Sequence, residues 1–256
     1  MRIAWITDPH LNFVTSTEID SFFSQLDERD LDVLLIGGDI GESHDVEDFL
    51  KQFDDRFDCP IYFVLGNHDF YFGSITEVRS RVSQLCSERT GLTYLSSSRI
   101  VELTENVGLI GHDGWADGRV GDYERSMVMM NDYRLIDELA SFSKQDRLVE
   151  LHKLGDEAAG HIRRWLPAAL DRYAEVILLT HIPPLREACW HDGQISDDEW
   201  APHFVCQAVG DVLLEIMPAY PNHHLLVLCG HTHGCGETKP LGNLKILTGA
   251  ATYGKP

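Results

Sequence analysis

Seven short runs dense in Val, Ile and Leu punctuate this chain, and most stop abruptly at a polar exit: RIAWIT (2–7), DVLLIG (32–37), IYFVL (61–65), VGLIG (107–111), VILLT (176–180), LLVLC (225–229) and LKILT (244–248). Runs this short and this apolar suit strands buried on both faces, as in parallel sheets covered by helices. Between them the period changes. Thr15 and Glu18 form a capping-box pattern ahead of Ile19, Phe22, Phe23 and Leu26 at helical spacing. Val46, Phe49, Leu50 and Phe53 mark a second helix, and a third begins at Ser74 and turns Ile75, Val78, Val82 and Leu85 inward. A long helix is predicted over about 145–172, interrupted or restarted near Pro167, and another over about 203–217, ending before Pro218. Such alternation predicts an α/β fold with a sheet that is at least partly parallel. No linker divides the chain, so one domain over 1–256 is expected, with an inserted loop and helical region at about 113–175 whose first part, 113–143, fits the alternation least.

The exits carry the chemistry. The first strand ends in TDPH, the second in GGDIGES, the third in GNHD, the fifth in THIPP and the sixth in CGHTHG. Ligands of open α/β sheets bind beyond the carboxyl ends of the strands, so these side chains are expected to converge from both ends of the chain. Asp8, His10, Asp39, Asn67, His181, His231 and His233 offer carboxylate, amide and imidazole donors, a mixed set suited to Mn, Fe, Zn or Ni. Seven donors are too many for one ion and suit two divalent ions about 3.5–4 Å apart. The motifs contain no thiolate, which argues against a structural cysteine zinc site. On an extended exit His231 and His233 would point the same way, with Gly230 and Gly234 letting the backbone turn tightly around them. Taken singly, GNHD is an ordinary turn composition and GGD an ordinary strand exit. Five such exits in one chain are not explained that way.

In this order the motifs resemble those of the calcineurin-like metallophosphoesterases: Asp-x-His, Gly-Asp, Gly-Asn-His-Asp, a lone His and Gly-His-x-His, from Asp8 to His233. The resemblance implies two mixed β-sheets packed as a sandwich flanked by helices, four layers in the order αββα, with the metal site at the C-terminal ends of the strands. It implies that Asp8, His10 and His233 hold one ion, that Asn67, His181 and His231 hold the other, and that Asp39 bridges them. It further implies hydrolysis of phosphate esters by a metal-bridging hydroxide, with His68 as the catalytic histidine and Glu42, or alternatively Asp69, as the carboxylate that orients it. A non-catalytic binding scaffold on the same fold is the alternative. Ser43 stands where the protein-phosphatase branch has a phosphate-holding Arg, so Arg119, Arg125 and Arg134 are candidates for that clamp. His112 and Trp115, which close the fourth strand, are candidate substrate contacts. The other histidines, His203 among them, are expected at the surface or at caps.

Charge narrows the partners. Lys and Arg number 21 against 41 Asp and Glu, a net −20. Such a surface repels nucleic-acid polymers and anionic membranes, whereas bound cations would make a local positive centre for a small phosphorylated substrate. The apolar runs are of strand length, MRIAWITDPHL reads as a strand rather than a leader, and the six cysteines show no paired spacing. Those features predict a cytoplasmic protein with reduced thiols.

Overall fold

The computed structural model describes all of residues 1–256. Strands β1 (Ile3–Ile6), β2 (Val33–Ile36), β3 (Ile61–Phe63) and β4 (Leu92–Tyr94) form one sheet in that order, parallel throughout, joined by helices α1 (Ser16–Asp27), α2 (Val46–Arg56) and α3 (Ile75–Glu88). The chain continues through β5 (Val101–Thr104), β6 (Val107–His112), two one-turn helices α4 (Asp132–Leu135) and α5 (Asp137–Ala140), and α6 (Lys144–Leu170). Then come β7 (Glu175–Thr180), a small hairpin of β8 (Trp190–His191) and β9 (Gln194–Ile195), α7 (Ala201–Phe204), α8 (Gln207–Ile216), and β10 (His224–Cys229), β11 (Gly236–Leu241) and β12 (Leu244–Thr248). The second sheet runs β11-β12-β10-β7-β6-β5; its four central strands are parallel and its two edge strands antiparallel.

Strand alternation builds the layers. On β2, Leu34 and Ile36 pack with Ile19, Phe23, Leu50 and Val82 of the outer helices, while Val33 and Leu35 face the second sheet. On β10, Leu225 and Val227 meet Ile162 and Leu166 of α6 and Val209 of α8, while Leu226 and Leu228 look back toward the first sheet. These central strands are therefore apolar on both sides, as their composition predicts, and helix, sheet, sheet and helix stack as four layers. Each fully buried leucine in these layers contributes roughly 1.5–3 kcal/mol relative to exposure. No helix is long and apolar enough to cross a membrane.

Four expectations change. The helix over 144–170 is continuous, because Pro167 lies in its last turn, where it removes a single hydrogen bond. That helix packs on the second sheet as part of its outer layer, which leaves 113–143 as the irregular segment. The helix predicted over 203–217 is two, broken where the Cys206 N–H turns to the Pro183 carbonyl (2.9 Å). Mixed strand direction is confined to the larger sheet.

Candidate metal centre

The loops that leave β1, β2, β3, β7 and β10 meet where the carboxyl ends of the two sheets come together. They are cross-linked before any side chain is considered: the His10 N–H bonds the Asp39 carbonyl (2.9 Å), the Asp8 N–H the Gly38 carbonyl (3.0 Å), and the Gly230 N–H the His181 carbonyl (2.9 Å). Asp8, His10, Asp39, His231 and His233 all have left-handed backbone, with φ of 52°, 43°, 53°, 70° and 58°. Non-glycine residues seldom adopt this region, and where they do the strain is commonly stored at a functional site. The exit bearing His231 and His233 is thus not extended. The histidines themselves make the turn, and the glycines serve close approach instead. A side chain at Gly230 would collide with the Asp8 carboxylate, and one at Gly66 with that of Asp39.

Asp8, His10, Asp39 and His233 place one potential ligand atom each within 4.8 Å of one another. The Nε2 atoms of His10 and His233 are 3.0 Å apart, and Asp8 Oδ1 lies 3.6 Å from His233 Nε2. Thr7 Oγ1 and the His231 N–H fix the Asp8 carboxylate (2.5 and 2.9 Å). A second cluster adjoins this one. His181 Nε2 is 3.1 Å from Asn67 Oδ1 and 3.4 Å from Asp39 Oδ1, and the rings of His181 and His231 are 5.1 Å apart. Asp39 stands between the clusters: Oδ1 turns to His181, and Oδ2 to His10 at 3.7 Å.

Outer hydrogen bonds set which ring nitrogens are free. His181 Nδ1–H donates to the Gly37 carbonyl (2.9 Å), which leaves the Nε2 lone pair facing inward. His231 Nε2–H donates to the His203 carbonyl (3.1 Å), and His231 Nδ1 is buried with no partner. Asn67 Nδ2 donates to Asp132 Oδ1 (2.9 Å) and Tyr71 Oη (3.0 Å), which aims its carbonyl oxygen at the site.

Electrostatics complete the fit to divalent cations. Asp8 and Asp39 are 3% and 1% exposed, and within 4.0 Å their only basic neighbours are histidines. Burial pushes the Asp8 carboxyl up to about 7, against hydrogen bonds from Thr7 and His231 that draw it down. Burial, then the nearby Asp8 and Asp69, hold Asp39 well above the usual carboxylate range. Burial, reinforced by neighbouring imidazoles, lowers His10 to about 2 and His68 to about 3; His181 falls to about 3 and His231 well below its ordinary value, burial again leading. Neutral imidazoles with inward lone pairs beside unpaired carboxylates form a donor set that a cation satisfies and that no side chain in the chain does.

The remaining predicted residues separate. His68 lies at the mouth: its backbone N–H donates to Asp39 Oδ1 (2.9 Å), its ring meets His10 edge-on and lies tilted against Tyr71, and its Nε2 is 3.4 Å from Tyr253 Oη. Neither expected carboxylate orients it, for His68 Nδ1 is buried without a partner. Glu42 faces His44 (3.9 Å). Asp69 accepts the N–H groups of Ile40, Gly41 and Gly66 (2.8, 2.9 and 2.8 Å) and so staples two loops. His112 is turned toward Glu157 and His161, Trp115 is a core residue against Phe70, Arg119 is held by Asp117 and Asp156, Arg125 is solvent-exposed beside Asp122, and Arg134 is exposed on α4. None of these five lines the mouth. Sequence reasoning missed Asp132, Tyr71 and His203, which hold Asn67 and His231 in place, and Tyr253, which follows β12 and which the strand-exit rule would have found.

Comparison with known proteins agrees with this geometry. The family model for calcineurin-like phosphoesterases matches residues 1–235. UDP-2,3-diacylglucosamine hydrolase of Photobacterium profundum is 32% identical over 124 residues, covering 44% of this chain and 46% of that protein. A putative phosphoesterase of Invertebrate iridescent virus 6 is 35% identical over 81 residues, 27% of this chain and 28% of its own. The matched stretches thus span less than half of either relative. Among solved structures, the phosphopantetheinyl hydrolase of Mycobacterium tuberculosis has a TM-score of 0.70 at 14% identity, covering 98% of this chain and 89% of its own. A dimetal phosphatase from Danio rerio has a TM-score of 0.56 at 14% identity, with 96% and 86% covered. At that identity the likeness establishes the fold. With the family match running through the strand exits that build the centre, the chain belongs to the calcineurin-like phosphoesterase family.

Proposed function

We propose that this chain hydrolyses small phosphate esters at a two-cation centre held by Asp8, His10, Asp39, Asn67, His181, His231 and His233. The observation that carries the reading is Asp39, a buried carboxylate with one oxygen toward each of two clusters of neutral donors and no lysine or arginine to answer it. Two divalent ions, Mn, Fe, Zn or Ni, offset phosphoryl charge and acidify a bound water when present. The side chains do the rest. Asp8 and Asp39 fix the positions of the charges; the Gly37 and His203 carbonyls hold the His181 and His231 rings in their tautomers. His68 presents a ring nitrogen at the open mouth, where it can hand a proton to the departing oxygen. The net charge of −20 favours small substrates over polyanions. Both named hydrolases among the similar proteins agree with the reaction class.

Protein stripped with chelator and reloaded with Mn²⁺, Zn²⁺ or Fe²⁺ should turn over members of a panel of phosphate mono- and diesters. Asp39→Asn should lower kcat/KM by at least about a hundredfold, the scale for losing one preorganised electrostatic group, and should reduce the bound metal per chain. Two ions bound without turnover of any ester would leave the scaffold reading in its place.

A further inference from the structure

An apolar wall borders the centre, and the proposed chemistry makes no use of it. A cleft of about 510 Å³ shares His68, Tyr71 and Tyr253 with the mouth of the site and is otherwise lined mainly by Met127, Val128, Met129, Met130 and Trp200. Met127 is 85% exposed, Met129 53%, Tyr253 48% and Trp200 36%. Phe13, itself 52% exposed, extends the wall, with its ring 5.1 Å from Tyr253 and 6.1 Å from His10. A contiguous exposed apolar surface at the edge of a polar centre is a binding surface, and methionine adapts to irregular apolar shapes. The methionine segment is anchored. Ser126 Oγ donates to the Glu199 carbonyl (2.9 Å), the Val128 N–H donates to Ser126 Oγ (3.2 Å), and Lys144 Nζ donates to the Ser126 carbonyl (2.6 Å). The wall therefore stands preformed.

Charge says more about the occupant. The lining contains no lysine or arginine, and Glu199 is its one carboxylate. A phosphomonoester, which carries close to two charges near neutral pH, finds no side-chain cation there; a diester carries only one. We propose that the substrate is a phosphodiester with one ester arm an uncharged alkyl chain, laid along Met127, Met129 and Trp200. The proposal rests on the phosphoesterase reading above. In the reaction the oxygen of water forms the new P–O bond as the bond to one ester oxygen breaks. That oxygen leaves with the electron pair and takes up a proton, and the products are an alcohol and a phosphomonoester.

The test uses 4-nitrophenyl diesters of methyl, butyl and hexyl phosphate with metal-loaded protein, and 4-nitrophenyl phosphate beside them. A fully buried methylene is worth about fourfold, so kcat/KM should rise at least tenfold from methyl to hexyl and should exceed that for the monoester. The double variant M127N/M129N changes two exposed residues and so spares the core. It should cut the hexyl-to-methyl ratio at least threefold. Calorimetry with hexyl methylphosphonate and methyl methylphosphonate repeats the comparison without turnover, and only the longer ligand should show a clearly negative heat-capacity change. A flat chain-length series, or preference for the monoester, overturns the proposal while the phosphoesterase reading stands. Turnover of no ester at all defeats the reading itself. A dimer in sedimentation that M127N/M129N dissolves would give the wall to a second copy and overturn the proposal too.

Discussion

Asp132 shows how much of the proposed metal centre lies outside its candidate ligands. It is buried, it comes from the irregular segment after β6, and its Oδ1 accepts both Asn67 Nδ2 and the Tyr71 hydroxyl (2.9 and 2.7 Å). Without that acceptor only the Tyr71 hydroxyl restrains the Asn67 amide from turning its NH₂ group where an acceptor is needed. Next to it, Tyr133 Oη holds His203 Nδ1 (2.6 Å), and the His203 carbonyl receives His231 Nε2–H. Adjacent residues of one segment thereby steady two donors of the same cluster. Partners of this kind are commonly worth about 10–100-fold in metal affinity. Asp132→Ala should lose that much, measured by metal titration of the stripped protein, and Asp132→Asn should lose less because its carbonyl still accepts. Equal affinity in wild type and Asp132→Ala would remove Asp132 from the site. The seven proposed donors are legible in the sequence because each follows an apolar run. Asp132, Tyr71 and His203 are not, because they act through an amide or a backbone carbonyl and share no motif with what they support. Glu42 is expected on His68 by position alone, and position does not fix where a carboxylate points.

At the scale of elements, the same irregular segment also caps a helix. Glu138 of α5 accepts Ser74 Oγ (2.7 Å) and the N–H groups of Ile75 and Thr76 (2.9 and 3.1 Å), the open first turn of α3. Burial alone would raise the Glu138 carboxyl, but these hydrogen bonds outweigh it and hold the group below its usual value of 4.5. A carboxyl lowered on folding stabilises above its unfolded pKa and loses that contribution as pH falls through the folded value. Glu138→Gln, which mimics the protonated acid, should therefore cost roughly 0.5–2 kcal/mol at pH 7. The difference should shrink below about pH 4, as followed by paired thermal melts; a gap that stays constant would mean the charge is irrelevant. Elements with a clear period were readable. Thr15 caps α1 with the predicted box, and Ile75, Val78, Val82 and Leu85 are all buried on α3. What escaped was short, polar or at an edge: β4 is three residues, β5 and β11 are half-exposed edge strands with charged positions, and β8 and β9 are two residues each. Edge strands face solvent and carry little of the apolar signal that marks a strand. The division into two sheets came from the family resemblance and not from the strand pattern, since a run apolar on both sides looks the same whether helix or sheet covers it.

At the scale of the whole molecule, the excess of acidic side chains sets the balance of charge. Acidic side chains outnumber basic ones 41 to 21, so many carboxylates have no base to pair with, and their mutual repulsion works against the compact state. The same excess suits the proposed centre for divalent cations, where Asp8 and Asp39 are buried with no lysine or arginine within 4.0 Å. Function and stability therefore pull on the charge in opposite directions, and salt separates them. Screening lengths fall from about 30 Å at 0.01 M to about 8 Å at 0.15 M. NaCl added to metal-stripped protein should thus raise the melting temperature, by roughly 2–4 °C for each kcal/mol of repulsion relieved. The rise should be steepest below about 0.15 M, where the screening length falls fastest. Divalent metal should add a further increase that saturates at stoichiometric amounts and persists in high salt, because its ligands are buried and little screened. A melting temperature that stays level or falls with NaCl would show that local pairs, such as Arg79 with Asp113 and Glu157, already neutralise the excess. It would also remove repulsion as the reason for any stabilisation that bound metal provides.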